Sequence, residues 1–259
     1  MFNRVLVPID LTDECARALP VAAAMARRAH AEVVALLVTS KHGDPELDRF
    51  EAREFLDSHG GQGVDVLLDP GDDVAEAIAT HAREQSTLVC MSSHGRGAVG
   101  ELMVGSVATA VERQRVGPVM LVGPEVIDWH EPRSLMVCCD DSHAASALVP
   151  LVREWCEAMN LRPEVVHVQV PGERPGRRTA IRVASALNVP IGLQIGSVPA
   201  WTIAELAAQR PGAVVMVATA TTGRMARLLR GSTTRDLVAK SSVPVVAVPA
   251  LDTNATEGT

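Results

Sequence analysis

A glycine-rich segment, residues 91–107, holds the residues whose types and spacing best suit ligand chemistry. Its sequence is Met-Ser-Ser-His-Gly-Arg-Gly-Ala-Val-Gly-Glu-Leu-Met-Val-Gly-Ser-Val. Glycines let the backbone approach a ligand, and successive N–H groups entering a helix can hold an anionic phosphate. The hydroxyl of Ser106, beside Gly105, adds a hydrogen bond to a phosphate oxygen. The same glycines would also serve a tight turn and close helix packing, so both roles stay open.

Two standard nucleotide motifs can be tested against this segment. Residues 95–100 match GxGxxG, but the dinucleotide fingerprint opens a domain and needs an acidic residue about 20 positions later, at the end of the next strand. Here the strand that follows the segment ends in Gly-Pro before Glu125. GxxxxGK[ST] is absent, and the chain has only two lysines, Lys41 and Lys240. The sequence therefore argues against NAD binding and against a P-loop ATPase.

The chain shows no arrangement of residues for a dedicated catalytic reaction. His94 lies in the glycine-rich segment, yet the sequence fixes no acid or nucleophile beside it, and HExxH, GxSxG and Ser-His-Asp patterns are missing. His167 falls in an apolar strand, which favours a buried core histidine. The five cysteines form no CxxC and lie in apolar segments, so we expect reduced core thiols.

The chain repeats itself around these elements. The apolar strand that ends in Asp10 matches a second one that ends in Asp140, 130 residues later. Gly105 matches Gly231, 126 residues later, so the second copy has lost four residues, net. The same order of strand and glycine signals predicts a duplication, with its boundary in a polar stretch bracketed by prolines. We predict three parts: domain 1 at residues 1–126, domain 2 at residues 131–251 and a flexible tail at residues 252–259.

Each copy alternates strands with helices, which predicts an α/β fold. In the first copy, short Val-rich runs indicate five buried parallel strands: residues 4–9, 32–39, 64–68, 88–91 and 119–122. Helical patterns lie between them, for example at residues 13–28 and at residues 73–84 behind a cap at Asp72. Small doubly wound sheets of this kind bind ligands at the carboxyl ends of their strands, where the strand order reverses. Asp10 and the glycine-rich segment both fall there.

The spacing Ser92-x-x-Gly95, nine residues, then Gly105-Ser106 resembles the signature of the universal stress protein family, which is GxxG, nine residues, then Gly-Ser or Gly-Thr. The opening strand that ends in Pro-Ile-Asp and the closing strand Gly-Pro-Val-Met-Leu-Val fit this family too. Ser92 stands where the signature has its first glycine. The resemblance covers nearly the whole chain as two tandem copies.

This resemblance implies two tandem doubly wound, five-stranded parallel-sheet domains of the adenine nucleotide alpha hydrolase-like fold, each with strand order 3-2-1-4-5. It implies ATP, with or without Mg²⁺ or Mn²⁺, across the switch point between the first and fourth strands. The adenosine half would meet Pro8, Asp10 and Val38. The phosphates would meet Ser92, Gly95, Arg96, Gly105, Ser106 and Val107. Asp10 would accept a ribose hydroxyl or help to place a cation; its structural alternative is a cap for the helix after Thr12.

The second copy lacks both glycines of the signature. Counting back from Gly231 reaches Thr221 and Ala218, while Asp140 is kept and Cys138 replaces Pro8. Three nearby arginines would bind anions or form a solvated face: Arg224, Arg227 and Arg230. We predict that the second copy is a structural partner with weak or no ATP binding.

The composition and charge of the chain argue against some classes of binding partner. The chain has 259 residues, a net charge of -7 and 2% aromatic residues, which argues against nucleic-acid binding. No apolar run approaches the roughly 20 residues of a membrane helix, and the start lacks a signal-peptide core, so we expect a cytoplasmic protein without membrane contact. The apolar closing strands, residues 118–122 and 244–248, should each form an edge and meet about a pseudo-two-fold axis within the chain. The sequence also allows a homodimer of two whole chains.

Three functions from different classes fit these observations. The first, which the sequence favours, is an ATP-binding regulatory or stress-tolerance module with ATP in the first copy and slow hydrolysis at most. The second is a non-nucleotide scaffold or dimerisation protein of the same fold. The third is an ATP-using enzyme, which would need an acceptor pocket for which no residues are evident. The sequence does not identify the stress, the protein partner or the oligomeric state.

Overall fold

The structure is a computed structural model and describes residues 1–84, 86–93, 106–129, 131–140, 143–173, 176–219 and 232–249. The elements of the first half are β1 (Arg4–Ile9), α1 (Asp13–Ala16), α2 (Ala18–Ala29), β2 (Glu32–Thr39), α3 (Pro45–Ser58), β3 (Asp65–Pro70), α4 (Val74–Glu84), β4 (Thr87–Ser92), α5 (Ser106–Arg113) and β5 (Val119–Val122). Those of the second half are β6 (Ser134–Cys138), a 3₁₀-helix (His143–Leu148), α6 (Val149–Met159), β7 (Arg162–Gln169), α7 (Arg178–Leu187), β8 (Ile191–Ile195), α8 (Pro199–Ala208), β9 (Ala213–Thr219), α9 (Ser232–Lys240) and β10 (Val245–Pro249).

These strands form one sheet in the order β3-β2-β1-β4-β5-β10-β9-β6-β7-β8. Pairing is parallel within each half, and β5 pairs antiparallel with β10, with Met120 opposite Val246. The predicted α/β class with a mainly parallel sheet is confirmed, and each half has the order 3-2-1-4-5 along its own strands. The sheets of the two halves are joined into one continuous sheet, because the backbones of the closing strands β5 and β10 are hydrogen-bonded.

The two halves also meet through side chains and through a close backbone approach. The rings of Phe2 and Trp155 are both buried and lie edge to face, with centroids 5.3 Å apart. Gly123 lies directly against α9, since a Cβ atom there would be 1.9 Å from the carbonyl oxygen of Val238. Only glycine fits this position without a shift of backbone, so the junction is tightly packed.

The first predicted helix is two helices in the structure. Residues 13–28 were expected to form one helix, but α1 ends at Ala16 and α2 begins at Ala18. Pro20 has no N–H to bond the carbonyl of Ala16, so a continuous helix is interrupted there and proline is tolerated in the first turn of α2.

The predicted cap of α4 at Asp72 was wrong by one residue. Asp73 Oδ1 accepts the backbone N–H groups of Ala75 at 3.0 Å and Glu76 at 3.1 Å, which satisfies two of the free donors at the start of the helix. Asp72 instead accepts a hydrogen bond from Lys41 Nζ at 2.6 Å. Two adjacent aspartates made the cap ambiguous in the sequence.

The core is built from the apolar strand residues and the inner faces of the helices. All five cysteines are free thiols, and four of them are buried. His167 is buried too, and its Nδ1 lies 3.0 Å from the carbonyl oxygen of Cys139, so the prediction of a satisfied core histidine is confirmed. In the part of the chain that the structure describes, no helix has both the length and the apolar character to cross a membrane.

Candidate functional site

Four of the predicted site residues lie at one edge of the sheet. β1 is flanked by β2, with Pro8 opposite Leu36, and by β4 on its other side. Asp10 follows β1 directly, Val38 is the penultimate residue of β2 and Ser92 is the last residue of β4. Adjacent strands are about 4.8 Å apart. Pro8, Asp10, Val38 and Ser92 are thus brought to the carboxyl ends of neighbouring strands, at the point where the strand order reverses.

A short turn fixes the carboxylate of Asp10. Asp10 Oδ1 accepts hydrogen bonds from Thr12 N at 3.2 Å and from Thr12 Oγ1 at 2.5 Å. Leu11 between them has a φ of 60°, a left-handed conformation that is uncommon for leucine. The Thr12 side chain does not cap α1. Asp10 therefore braces the turn ahead of α1 through the N–H and the hydroxyl of Thr12.

An uncharged thiol lies next to this turn. The backbone N–H of Asp10 points to Cys15 Sγ at 3.5 Å. Burial is the largest effect on this thiol and raises its pKa to about 11. Cys15 is consequently protonated at neutral pH, so it adds no second negative charge beside Asp10.

Gly71 lies beside Val38, on the β2 and β3 side of the edge. The N–H of Gly71 donates to the carbonyl oxygen of Thr39 at 3.1 Å. A Cβ atom at Gly71 would lie 3.1 Å from Asp69 Oδ1 and 3.8 Å from Val38 Cγ1. A side chain here would press on the carboxylate of Asp69, so glycine suits this position. Sequence analysis missed Gly71, although the Pro-Gly pair after β3 marked a turn at this edge.

Lys41 and Asp72 form an exposed ion pair on the loops after β2 and β3. Their Nζ and Oδ2 atoms are 2.6 Å apart, and the hydrogen bond to Asp72 raises the pKa of Lys41 above its ordinary value. Neither residue was predicted as part of the site. The pair ties together the loops that follow β2 and β3.

Of the glycine-rich segment that is predicted to hold the phosphates, the structure describes only the two ends. The chain stays paired with β5 past Ser92, since the N–H of the buried Ser93 donates to the carbonyl oxygen of Val122 at 2.9 Å. α5 begins with the exposed Ser106 and the half-buried Val107. The other predicted residues lie outside the described residues: His94, Gly95, Arg96 and Gly105.

The corresponding edge of the second half is filled differently. Gly196 donates its N–H to the carbonyl oxygen of Gln169 at 3.2 Å, as Gly71 does to Thr39. Thr202 Oγ1, however, lies only 2.0 Å from where a Cβ atom of Gly196 would stand. A side chain of α8 thus lies closer to the Cβ position of Gly196 than the nearest side chain lies to that of Gly71. Asp140 is half-buried at the end of β6, while the three arginines and the glycine of this half's loop lie outside the described residues.

The site offers few ligands for a cation by itself. Over the described ranges, no group of three or more His, Cys, Asp or Glu side chains is placed to hold a metal ion. Among the residues that the structure describes, Asp10 places its carboxylate at the switch point. Mg²⁺ commonly binds through one or two carboxylates together with substrate phosphates, so this donor set fits a cation carried by a nucleotide.

Comparisons with known proteins agree with this fold. The sequence model described as the universal stress protein family matches residues 1–123. The structure of a universal stress protein from Archaeoglobus fulgidus DSM 4304 is similar with a TM-score of 0.64 and 18% identity, over 96% of this chain and 97% of that one. A functionally unknown protein, PA1789 from Pseudomonas aeruginosa PAO1, is similar with a TM-score of 0.64 and 13% identity, over 96% and 93%.

No curated protein sequence matches the chain significantly. At 13% and 18% identity, the two structural similarities show a shared fold and no more. The family assignment rests on the match of the first half, which contains Asp10, Val38 and Ser92. Residues 1–123, the first half of the chain, match the universal stress protein family.

Proposed function

We propose that the first half binds ATP and that the protein acts as a nucleotide-dependent regulatory or stress-tolerance module. The observation that carries the proposal is the meeting of Asp10, Val38 and Ser92 at the switch point. An open-sheet α/β fold binds its ligands at this place. The match of residues 1–123 to the universal stress protein family supports an adenine nucleotide as the ligand.

The residues of the edge divide into two parts that suit the two ends of ATP. Val38 offers an apolar wall beside Gly71, which suits a flat adenine ring with its ribose. Asp10, held by Thr12, is placed to accept a ribose hydroxyl or to meet a phosphate-bound Mg²⁺ or Mn²⁺. Ser92 and Ser106 stand at the two ends of the glycine-rich segment, where backbone N–H groups and hydroxyls would hold the phosphates.

The second half is proposed to be a structural partner. Thr202 fills the space beside Gly196, and the signature glycines of this half are replaced by Ala218 and Thr221. Antiparallel pairing of β5 with β10 gives the first half the edge contact that a second subunit would otherwise supply. In this proposal the halves are two domains, residues 1–126 and 131–251, that form a pseudo-dimer within one chain. The protein is proposed to work in the cytoplasm.

The test is whether the protein carries nucleotide as it is purified. The wild-type protein, denatured after purification, should release ATP or AMP that mass spectrometry detects. The matched variant Gly105→Val should keep the fold and lose the nucleotide, because its side chain fills the proposed phosphate space. Release of no nucleotide by the wild type, with no ATP binding in titration, would favour a scaffold of the same fold. Turnover well above about 0.01 per second would favour an enzyme instead.

A further inference from the structure

The outer strand of the second half, β8, differs from the outer strand of the first half. At the first edge, Arg49 Nη1 donates to the carbonyl oxygen of Val66 at 2.9 Å and Arg53 Nη1 donates to that of Val64 at 2.6 Å. These arginines of α3 block the approach of another strand to β3. Among the described residues, no side chain donates to a carbonyl of β8. One end of the ten-stranded sheet is therefore blocked and the other is open.

The backbone groups of β8 that face outward can be assigned. The N–H of Gly196 donates to Gln169 of β7, so N–H groups at alternate positions of β8 also face β7. It follows that Leu193 and Ile195, the odd positions, direct their N–H groups away from the sheet. A strand added at this edge would find backbone donors and acceptors ready to pair.

Apolar side chains surround this open edge on the face that α7 covers. Ile195 is 74% exposed and Leu193 is 43% exposed, and Ile181 of α7 is 47% exposed. Side chains alternate between faces along a strand, so Leu193 and Ile195 share one face. Together they form an apolar strip that an added strand would cover.

A cavity opens beside β8 on the opposite face. It has a volume of about 210 Å³ and is lined by Gly192, Gln194, Leu206 and Arg210, among others. Gly192 of β8 pairs with β7 at the position where Leu67 of β3 pairs with β2 in the first half. The second half therefore lacks a leucine side chain at this position. Arg210 Nε bonds Glu164 Oε2 at 2.7 Å at this cavity. The cavity has room for one apolar side chain of an added strand.

Charge indicates which peptide would fit. α7 and its N-cap carry Arg177, Arg178 and Arg182, all exposed, and residues 176–204 contain no Asp or Glu. The first edge has the opposite character, with eight Asp or Glu and two Arg in residues 44–70. A second copy that pairs β8 with β8 would bring the arginines of both α7 helices together, which disfavours that arrangement.

We propose that β8 is a docking edge for an extended, acidic peptide segment of a partner protein, with apolar residues at alternate positions. The peptide would add as an eleventh strand, place apolar side chains on the Leu193 and Ile195 strip and in the cavity beside Gly192, and set its acidic residues near the arginines of α7. This site is separate from the nucleotide edge of the first half, so either proposal can fail alone.

The test uses fluorescein-labelled heptapeptide pools with Val, Leu, Ile or Phe at alternate positions and either Asp and Glu or Lys and Arg between them. Fluorescence anisotropy should show that the full-length protein binds the acidic pool at least about tenfold more tightly than the basic pool. Ile195→Asp and Gly192→Leu should each weaken binding about tenfold or more, and Leu193→Pro should do so by removing an outward N–H. Leu47→Asp, the same kind of change at an exposed leucine of the first edge, is the control and should have no effect.

Circular dichroism checks that each variant folds, and Ile195→Asp remains the test if Leu193→Pro does not fold. No binding of the acidic pool at about 100 µM would overturn the proposal. So would equal losses in Ile195→Asp and Leu47→Asp. If sedimentation shows a wild-type dimer that Ile195→Asp converts to a monomer, and no peptide binds, the edge is occupied by a second copy and the proposal is wrong.

Discussion

The two halves of the molecule share one strand order yet differ at the carboxyl ends of their strands and at their outer edges. A Cβ atom at Gly71 in the first half would lie 3.1 Å from its nearest neighbour, whereas one at Gly196 in the second half would collide with Thr202 Oγ1 at 2.0 Å. Arg49 and Arg53 block the outer edge of the first half, while that of the second half is open and apolar. A repeated fold thus supports different surfaces, because side chains at a few equivalent positions decide what can bind.

Replacing each of the two equivalent aspartates, Asp10 and Asp140, by asparagine is the strongest test of whether the two halves differ in ATP binding. Asp10→Asn keeps an acceptor for the N–H of Thr12 but removes the charge, and should weaken ATP binding by about 10- to 100-fold, the usual range for a hydrogen bond to a charged group. Asp140→Asn should leave ATP affinity unchanged. Isothermal titration with ATP and Mg²⁺ measures both. Equal losses in the two variants would show that the halves share the binding.

A pair of glycine substitutions tests the junction between the halves. Gly123→Ala should lower the free energy of unfolding by about 1–3 kcal/mol, because its Cβ atom would collide with the carbonyl oxygen of Val238. In Gly192→Ala the nearest atom to the new Cβ, the carbonyl oxygen of Val165, is 3.4 Å away, so stability should change by less than about 0.5 kcal/mol. Urea unfolding provides the measurement. Similar stability of both variants would mean that the halves are not tightly packed at Gly123.

Buried thiols make the stability of the protein sensitive to alkaline pH. Burial raises the pKa of Cys90 far above its ordinary value of 9.0, and its Sγ donates to the carbonyl oxygen of Ala18 at 3.7 Å. The unfolded chain loses this proton near pH 9, so the stabilisation is complete below that pH and falls as pH rises. By pH 10 the loss is about 1.4 kcal/mol for one thiol.

Cys90→Ala should accordingly reduce the difference in unfolding free energy between pH 7 and pH 10 by about this amount. The control is Met216→Leu, since Met216 stands in β9 where the first half has Cys90 in β4. It should leave the pH dependence as it is in the wild type. An unchanged difference in Cys90→Ala would show that the thiol does not titrate on unfolding.

Much of the fold could be predicted because strands and glycines recur in the same order in both copies. The Val-rich runs gave the strands to within one or two residues, with β3 at Asp65–Pro70 where residues 64–68 were expected. The interruption at Pro20 and the choice of Asp73 over Asp72 were missed, since local hydrogen bonds decide them. Apolar closing strands indicated edges, but a continuous sheet depends on the register between β5 and β10, which no local pattern contains.

The candidate site could be predicted where residues follow directly on strands. Asp10, Val38 and Ser92 were placed by topology alone, because parallel strands end at the same edge. The contacts of Gly71 and Thr202 could not be predicted from the sequence, since they depend on side chains that pack across loops and helices. The same reason hid the cavity beside Gly192, which arises from a missing leucine at an equivalent position of the second half.

The number of ATP molecules bound by one chain tests the central difference between the halves most directly. Equilibrium dialysis of the full-length protein, freed of any nucleotide carried through purification, against ATP and Mg²⁺ measures it at saturation. We predict one ATP per chain, lost on Gly105→Val and retained on Asp140→Asn. A value of two would show that the second half binds as well, and a value of zero would contradict the proposed function.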